Sequence, residues 1–250
     1  MIEVRNLCKR FGTVRAVEDV SFLAPDGAIT GLLGANGAGK TTTMRMISGA
    51  LRADAGNIRI DDAQASDGPQ ALQRRVGALL DHQGLYGRLT ARENLVYFGQ
   101  LRGMTPEILD ERVDQVLATT GLTPIAGRRA AGFSQGERIK TALGRILVHS
   151  PRNLLLDEPT NGLDVPTVRS LRAWLREMRE AGMCVVLSSH VLEEIRVVCD
   201  RVVILSRGSV AAQGSPEELC GQTGSTNLED AFVQLTDCHE KERECSAQRS

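Results

Sequence analysis

Residues 28–49 read AITGLLGANGAGKTTTMRMISG, and this stretch decides the fold. Its centre, Gly34 to Thr41, fits the phosphate-loop pattern G-x-x-x-x-G-K-[ST]. The apolar run Ala28–Leu33 predicts a buried strand, and the segment after the loop predicts a helix ending at Gly49. Gly34, Gly37 and Gly39 open backbone conformations closed to other residues, so successive amide N–H groups can turn inward around an anion. The helix start adds unpaired N–H groups and a partial charge of about +0.5. Lys40 brings a full positive charge and Thr41 a hydroxyl suited to magnesium. Ala35, Asn36, Ala38 and Thr42 complete the candidate nucleotide-binding set. A glycine-rich turn with a chance lysine is the bland alternative, and the strand and helix on either side argue against it.

Outward from the loop, short apolar runs alternate with helical patterns, which points to an α/β sheet. Buried strands are expected at Ala28–Leu33, Val76–Leu80, Leu154–Asp157, Val185–Ser188 and Val202–Leu205. Ile2–Val4, Val20–Leu23 and Ile58–Ile60 predict an accompanying antiparallel layer, and Ser209–Gln213 predicts a hairpin partner for Val202–Leu205. Residues 84–150 break this rhythm: helices at Ala91–Leu101, Thr105–Thr119 and Gln135–His149 form an inserted helical subdomain. Thr90 with Glu93 reads as a capping box, and Asp164 caps a helix running to Glu180. One α/β domain over residues 1–236 and a polar, disordered tail over 237–250 are the expected organisation.

The second informative string is LLLDE, residues 154–158. An apolar strand delivers two adjacent carboxylates, Asp157 and Glu158, to one edge of the sheet. A solvated acidic turn is the alternative reading. Composition excludes other classes. The formal charge is −1, with no basic tract that would make a nucleic-acid groove. The six cysteines include no C-x-x-C pair, which suits a reducing compartment and opposes a disulfide framework or zinc site. No apolar stretch approaches the roughly 20 residues needed to span a bilayer, and no signal peptide is visible. The chain is expected in the cytoplasm.

The order of these motifs resembles the ATP-binding subunits of ABC transporters, over about Ile2 to Thr236. The discriminating string is GFSQGERIK, Gly132 to Lys140, upstream of LLLDE, where the family carries a signature close to L-S-G-G-Q. Ser134 and Gly136 keep that pattern; Gln135 and Glu137 depart from its commonest form. GFSQG also matches the G-x-S-x-G elbow of serine hydrolases, but the preceding GRRAA is no buried strand. Phe11 falls where the family stacks an aromatic on adenine, with a core phenylalanine as the alternative. PTNGLD, Pro159 to Asp164, matches the loop that crosses the dimer interface through Gly162, Leu163 and Asp164. His190, ending VVLSSH, matches the switch histidine. The glutamine usual after the Val76 strand aligns with Asp81, or with Gln83 if the loop holds a two-residue shift.

The resemblance implies a chemistry and a set of partners. ATP and Mg2+ are the ligands. Lys40 and the loop amides hold phosphate, while Thr41, Asp157 and Asp81 (or Gln83) serve the metal. Glu158 acts as general base and His190 contacts the γ-phosphate. Ser134, Gln135, Gly136 and Glu137 address ATP held by an opposite subunit, so an ATP-dependent homodimer, or a pair with a second ATPase, follows. A membrane-spanning permease would contact the loop near Leu85–Thr90, with Tyr86 and Leu85 either exposed for it or packed into the helical subdomain. The style is most like the sodium-exporter (NatA-type) branch and related drug and polysaccharide exporters, which places the chain on the cytoplasmic face of the cell membrane. The rival is a soluble ABC ATPase serving iron–sulfur assembly, ribosomes or nucleic acid; a regulatory module without turnover is a third reading.

Overall fold

One of the two central strands of the main sheet carries the phosphate loop. In the computed structural model, which describes residues 1–80 and 84–247, the strands are β1 (Ile2–Phe11), β2 (Val14–Ala24), β3 (Ala28–Leu33), β4 (Ala55–Ile60), β5 (Ala63–Gln64), β6 (Val76–Leu79), β7 (Asn153–Asp157), β8 (Cys184–Ser189), β9 (Arg201–Ser206) and β10 (Ser209–Gly214). The helices are α1 (Lys40–Ile47), α2 (Pro69–Arg75), α3 (Ala91–Leu101), α4 (Pro106–Thr119), α5 (Gln135–Leu147), α6 (Val165–Glu180), α7 (Leu192–Val198), α8 (Pro216–Thr223) and α9 (Leu228–Ala247).

The main sheet has the order β10-β9-β3-β8-β7-β6, parallel except for the β9–β10 hairpin. A second, antiparallel sheet has the order β2-β1-β4-β5. Parallel strands buried on both faces need apolar side chains on both, and the two cores divide them by alternation. Leu154 and Leu156 of β7 face one cluster with Val185 and Leu187 of β8, beneath α3, α5 and α6. Leu155, Cys184 and Val186 face the other, with α1 and the antiparallel sheet. Gly31 of β3 has no side chain because α7 leaves no room: an added Cβ would stand 2.7 Å from Ile195 Cδ1 and 2.8 Å from Cys199 Sγ. Cys184 and Cys199 are buried free thiols.

The helical insertion sits in the crossover between two neighbouring parallel strands, since Val76 pairs with Asn153. The Thr90 capping box forms, with its hydroxyl accepting from the Glu93 N–H at 3.1 Å. Asp164 Oδ1 accepts from the Thr167 N–H at 2.9 Å and caps α6.

Within the stretch expected to be a disordered tail, residues 237–247 are helical. Helix α9 continues to Ala247. Its polar half lacks an apolar period but is tied by side chains. Ser206 Oγ donates to Glu240 Oε1 at 2.9 Å, and Ser209 Oγ lies 2.8 Å from His239 Nε2. Arg243 Nη1 donates to Ser209 Oγ at 2.6 Å and Arg243 also pairs with Glu18. Charge and hydroxyl contacts to the β9–β10 turn thus do what an apolar face does elsewhere in the helix.

Candidate functional site

β3 ends at Leu33, and the chain must turn at once under β9. Gly34 allows this: a Cβ there would lie 2.5 Å from the Leu205 carbonyl oxygen. Gly37 and Gly39 take φ of 83° and 102°, the region that glycine tolerates. Gly39 is the N-cap of α1 and offers no side-chain acceptor, so the first-turn N–H groups remain for an external anion. Lys40 is only 6% exposed. Its Nζ folds back to donate to the carbonyls of Gly34 at 2.7 Å and Ala35 at 3.3 Å.

A cleft of about 420 Å³ opens over the loop, walled by Phe11, Val14, Arg15 and Ala16, by residues 36–42, and by Glu158. Phe11 is 50% exposed, which answers the alternative of a core phenylalanine: its ring stands at the rim of the cleft. Thr41 and Thr42 line the floor.

β7 brings in the acids. Asp157 is 7% exposed and accepts a hydrogen bond from the Ser188 hydroxyl of β8. Glu158 follows with φ +48°, a left-handed conformation that a side-chain-bearing residue adopts at a cost of about 1 kcal/mol or more. Two bonds from its N–H hold it there, to Ser188 Oγ at 3.0 Å and the Ser188 carbonyl at 3.2 Å. The twist turns its carboxylate onto the loop: Oε1 lies 3.6 Å from Lys40 Nζ and Oε2 lies 2.8 Å from His190 Nδ1. Asp157 and Glu158 are therefore not a solvated acidic turn. Lys40, Glu158 and His190 converge as their positions in the sequence suggest.

The signature residues lie elsewhere. Ser134 is the N-cap of α5, its hydroxyl accepting from the Glu137 N–H at 3.2 Å while Glu137 Oε2 accepts from the Ser134 N–H at 2.8 Å. Bonding to the Ser134 N–H and to Arg128 holds the Glu137 carboxyl below its ordinary range. A 3-10 turn, Ala130–Gly132, precedes Ser134, so the strand–turn–helix of a hydrolase elbow is absent here. The start of α5 packs on the interface loop and on α6: a Cβ at Gly162 would lie 3.0 Å from Gln135 Nε2, and one at Gly136 would lie 3.1 Å from Thr167 Oγ1. Leu163 packs against the first core, and bonding to Thr167 lowers the Asp164 carboxyl. Among the described residues walling the phosphate cleft, none comes from Ser134–Glu137. Asp81 and Gln83 lie outside the described residues.

Three supporting residues escape a motif reading: Ser188, Ser189 and Glu194. Thr160 Oγ1 donates to Glu194 Oε2 at 2.5 Å, and Ser189 Oγ donates to the same oxygen at 3.1 Å. Ser188 and Ser189 are fully buried, and hydroxyls ending a buried strand need partners, which is the one signal the sequence held.

Known proteins resemble this chain over most of its length. The family described as "ABC transporter" matches residues 17–161. The chain is 36% identical over 238 residues to the ABC transporter ATP-binding protein NatA of Bacillus subtilis (strain 168), covering 93% of this chain and 97% of that protein. It is 35% identical over 236 residues to the linearmycin resistance ATP-binding protein LnrL of the same organism, covering 94% and 75%. A solved ATP-binding subunit of an ABC transporter superposes with a TM-score of 0.84 at 29% identity, covering 94% of this chain and 99% of that one.

Proposed function

The chain belongs to the ABC transporter ATPases, which hydrolyse ATP to drive transport, and from this we propose that it is the motor subunit of an exporter whose membrane path lies in a separate permease. The observation that carries the proposal is the convergence of Glu158, Lys40 and His190 on one cleft at a phosphate loop.

Phosphoryl transfer depends on positioning and charge neutralisation. The amides of residues 36–41 and the Lys40 ammonium hold the phosphates, and Phe11 stacks on the adenine. Lys40 gives up the carbonyls of Gly34 and Ala35 for the γ-phosphate. Glu158 then orients the attacking water and takes its proton, and His190 donates toward the charge that develops on the γ-phosphate. Thr41 and Asp157 offer the hard oxygen donors that suit Mg2+, with Asp81 or Gln83 as the loop donor. When bound, the ion neutralises charge on the outer phosphates.

Ser134, Gln135, Gly136 and Glu137 are not among the residues that wall their own cleft, which supports a nucleotide-dependent pairing in which each copy completes the other's site. Gly162, which lies against the same helix start, carries that contact across with Leu163 and Asp164. The permease docks near Leu85–Thr90. Tyr86 is 49% exposed, with its ring 4.9 Å from Tyr97, and Arg145 stands 4.7 Å over Phe98. Leu85 packs inward, so Tyr86 is the contact. No helix among the described residues is long and apolar enough to cross a membrane, in keeping with a peripheral place on the cytoplasmic face. Sodium ions are the cargo to test first, on the resemblance to that exporter branch; a drug-like solute is second, since one relative is a linearmycin resistance protein.

The test is recovery of partners on the Glu158→Gln chain from detergent-solubilised native membranes with ATP and magnesium. A polytopic membrane protein supports the exporter. Soluble partners alone transfer the motor to iron–sulfur assembly or ribosome work.

A further inference from the structure

The geometry points to Glu194 as a positioning residue that locks the hydrolytic carboxylate and the switch histidine into one closed circuit. One carboxylate oxygen, Oε2, accepts from Thr160 Oγ1 at 2.5 Å and from Ser189 Oγ at 3.1 Å. Thr160 stands two residues after Glu158, and Ser189 one residue before His190. His190 Nδ1 closes the circuit on Glu158 Oε2 at 2.8 Å. The path runs from Glu158 along the chain to Thr160, through Glu194 to Ser189, along the chain to His190, and back to Glu158. The inference rests on the hydrolytic roles given above to Glu158 and His190.

Two branches leave the circuit. The Thr160 carbonyl accepts from the Leu163 N–H at 3.1 Å, so the hydroxyl that Glu194 holds belongs to the residue that shapes the interface loop. Ser189 Oγ also accepts from the Val191 N–H at 2.9 Å, which fixes the turn carrying His190 into α7. Glu194 therefore couples the interface loop to the histidine through one atom. The chemistry explains the residue type. An acceptor with two free lone pairs takes two hydroxyl protons, and a glutamate on the first turn of α7 has the reach. A glutamine keeps such an oxygen; alanine leaves the fully buried Ser189 hydroxyl without it.

The test uses the 250-residue chain and measures MgATP turnover and equilibrium MgATP binding for the parent, Glu194→Ala, Glu194→Gln, Thr160→Val and the Glu194→Ala/Thr160→Val pair. Misplacement of a reacting group costs rate steeply, so Glu194→Ala is expected to lower kcat by about tenfold or more with MgATP affinity held. Glu194→Gln recovers most of that rate, Thr160→Val loses part of it, and the double variant is no slower than Glu194→Ala, because both act through one contact. Parental turnover in Glu194→Ala or in Thr160→Val overturns the inference. So does a Glu194→Gln chain as slow as the alanine form, or binding and turnover lost together. A parent chain without MgATP turnover overturns the hydrolytic reading and this one with it; an active parent matched by Glu194→Ala overturns this one alone.

Discussion

Glu158 Oε2 sits 2.8 Å from His190 Nδ1, so the candidate base and the candidate switch residue touch each other before either touches a nucleotide. The other carboxylate oxygen faces Lys40 at 3.6 Å. In the hydrolysis proposed above, the γ-phosphate takes Lys40 and His190 as its partners and leaves Glu158 to the attacking water.

Replacing Glu158 by Gln removes the proton acceptor and keeps the shape. ATP binding is retained and turnover falls by about a hundredfold or more, the usual worth of a general base. Steady-state hydrolysis with a parallel binding titration checks it, and size-exclusion with ATP should show the paired form accumulating. Near-parental turnover would take the role away from Glu158.

Phe11 is half exposed and supports little of the core. Phe11→Ala should leave the melting temperature unchanged and weaken ATP binding by about fivefold to a hundredfold, since stacking one base on an aromatic is worth about 1–3 kcal/mol. Tripolyphosphate, which has no base, should bind both forms equally.

His149 lies between the core and the helical insertion, its Nε2 3.0 Å from the Val76 carbonyl oxygen. Burial, with Arg102 and Arg112 nearby, pushes it from the usual 6.5 down to about 4. In the unfolded chain it takes up a proton as pH falls through about 6.5; in the folded chain it does so only near 4. Its contribution to stability is complete above that window and is lost as pH drops through it. His149→Gln should flatten that loss, read as urea midpoints near neutral pH and at about pH 5.

The turn that α9 secures is bonded to the phosphate loop: the Gly208 N–H donates to the Ala38 carbonyl at 3.1 Å. Arg243→Ala removes the ties to Ser209 and Glu18. Stability should fall by about 1 kcal/mol, as for a partly exposed charged contact. The Gly208 amide should exchange faster with deuterium than in the parent chain, and an unchanged exchange rate would detach α9 from the loop.

The phosphate loop was legible because anion binding demands glycine at fixed places, and the β7 acids because a buried strand rarely ends in two carboxylates. The parallel strands of the main sheet stood out for a related reason, being apolar on both faces. Helix α7 and residue Glu194 were not legible. LEEIRVV is only seven residues long, and nothing in its pattern separates a positioning glutamate from its exposed neighbour Glu193. The ordered end of α9 was missed because its anchors, His239, Glu240 and Arg243, are polar residues whose partners lie far away in sequence. Short-range periodicity carries no trace of such contacts.

The sheet order also sets when this molecule can first work during its manufacture. β3 has β8 on one side and β9 on the other, with Ala28 opposite Cys184 and Thr30 opposite Arg201. A ribosome must add everything from Gly34 to Met183 after β3 before the first of its two neighbours begins. For most of translation the phosphate loop leaves the exit tunnel on a strand with no flanks in its own sheet, and closing those pairings is intrinsically slow. A chain stopped before β8 thus lacks the flanks that shape the phosphate-loop strand.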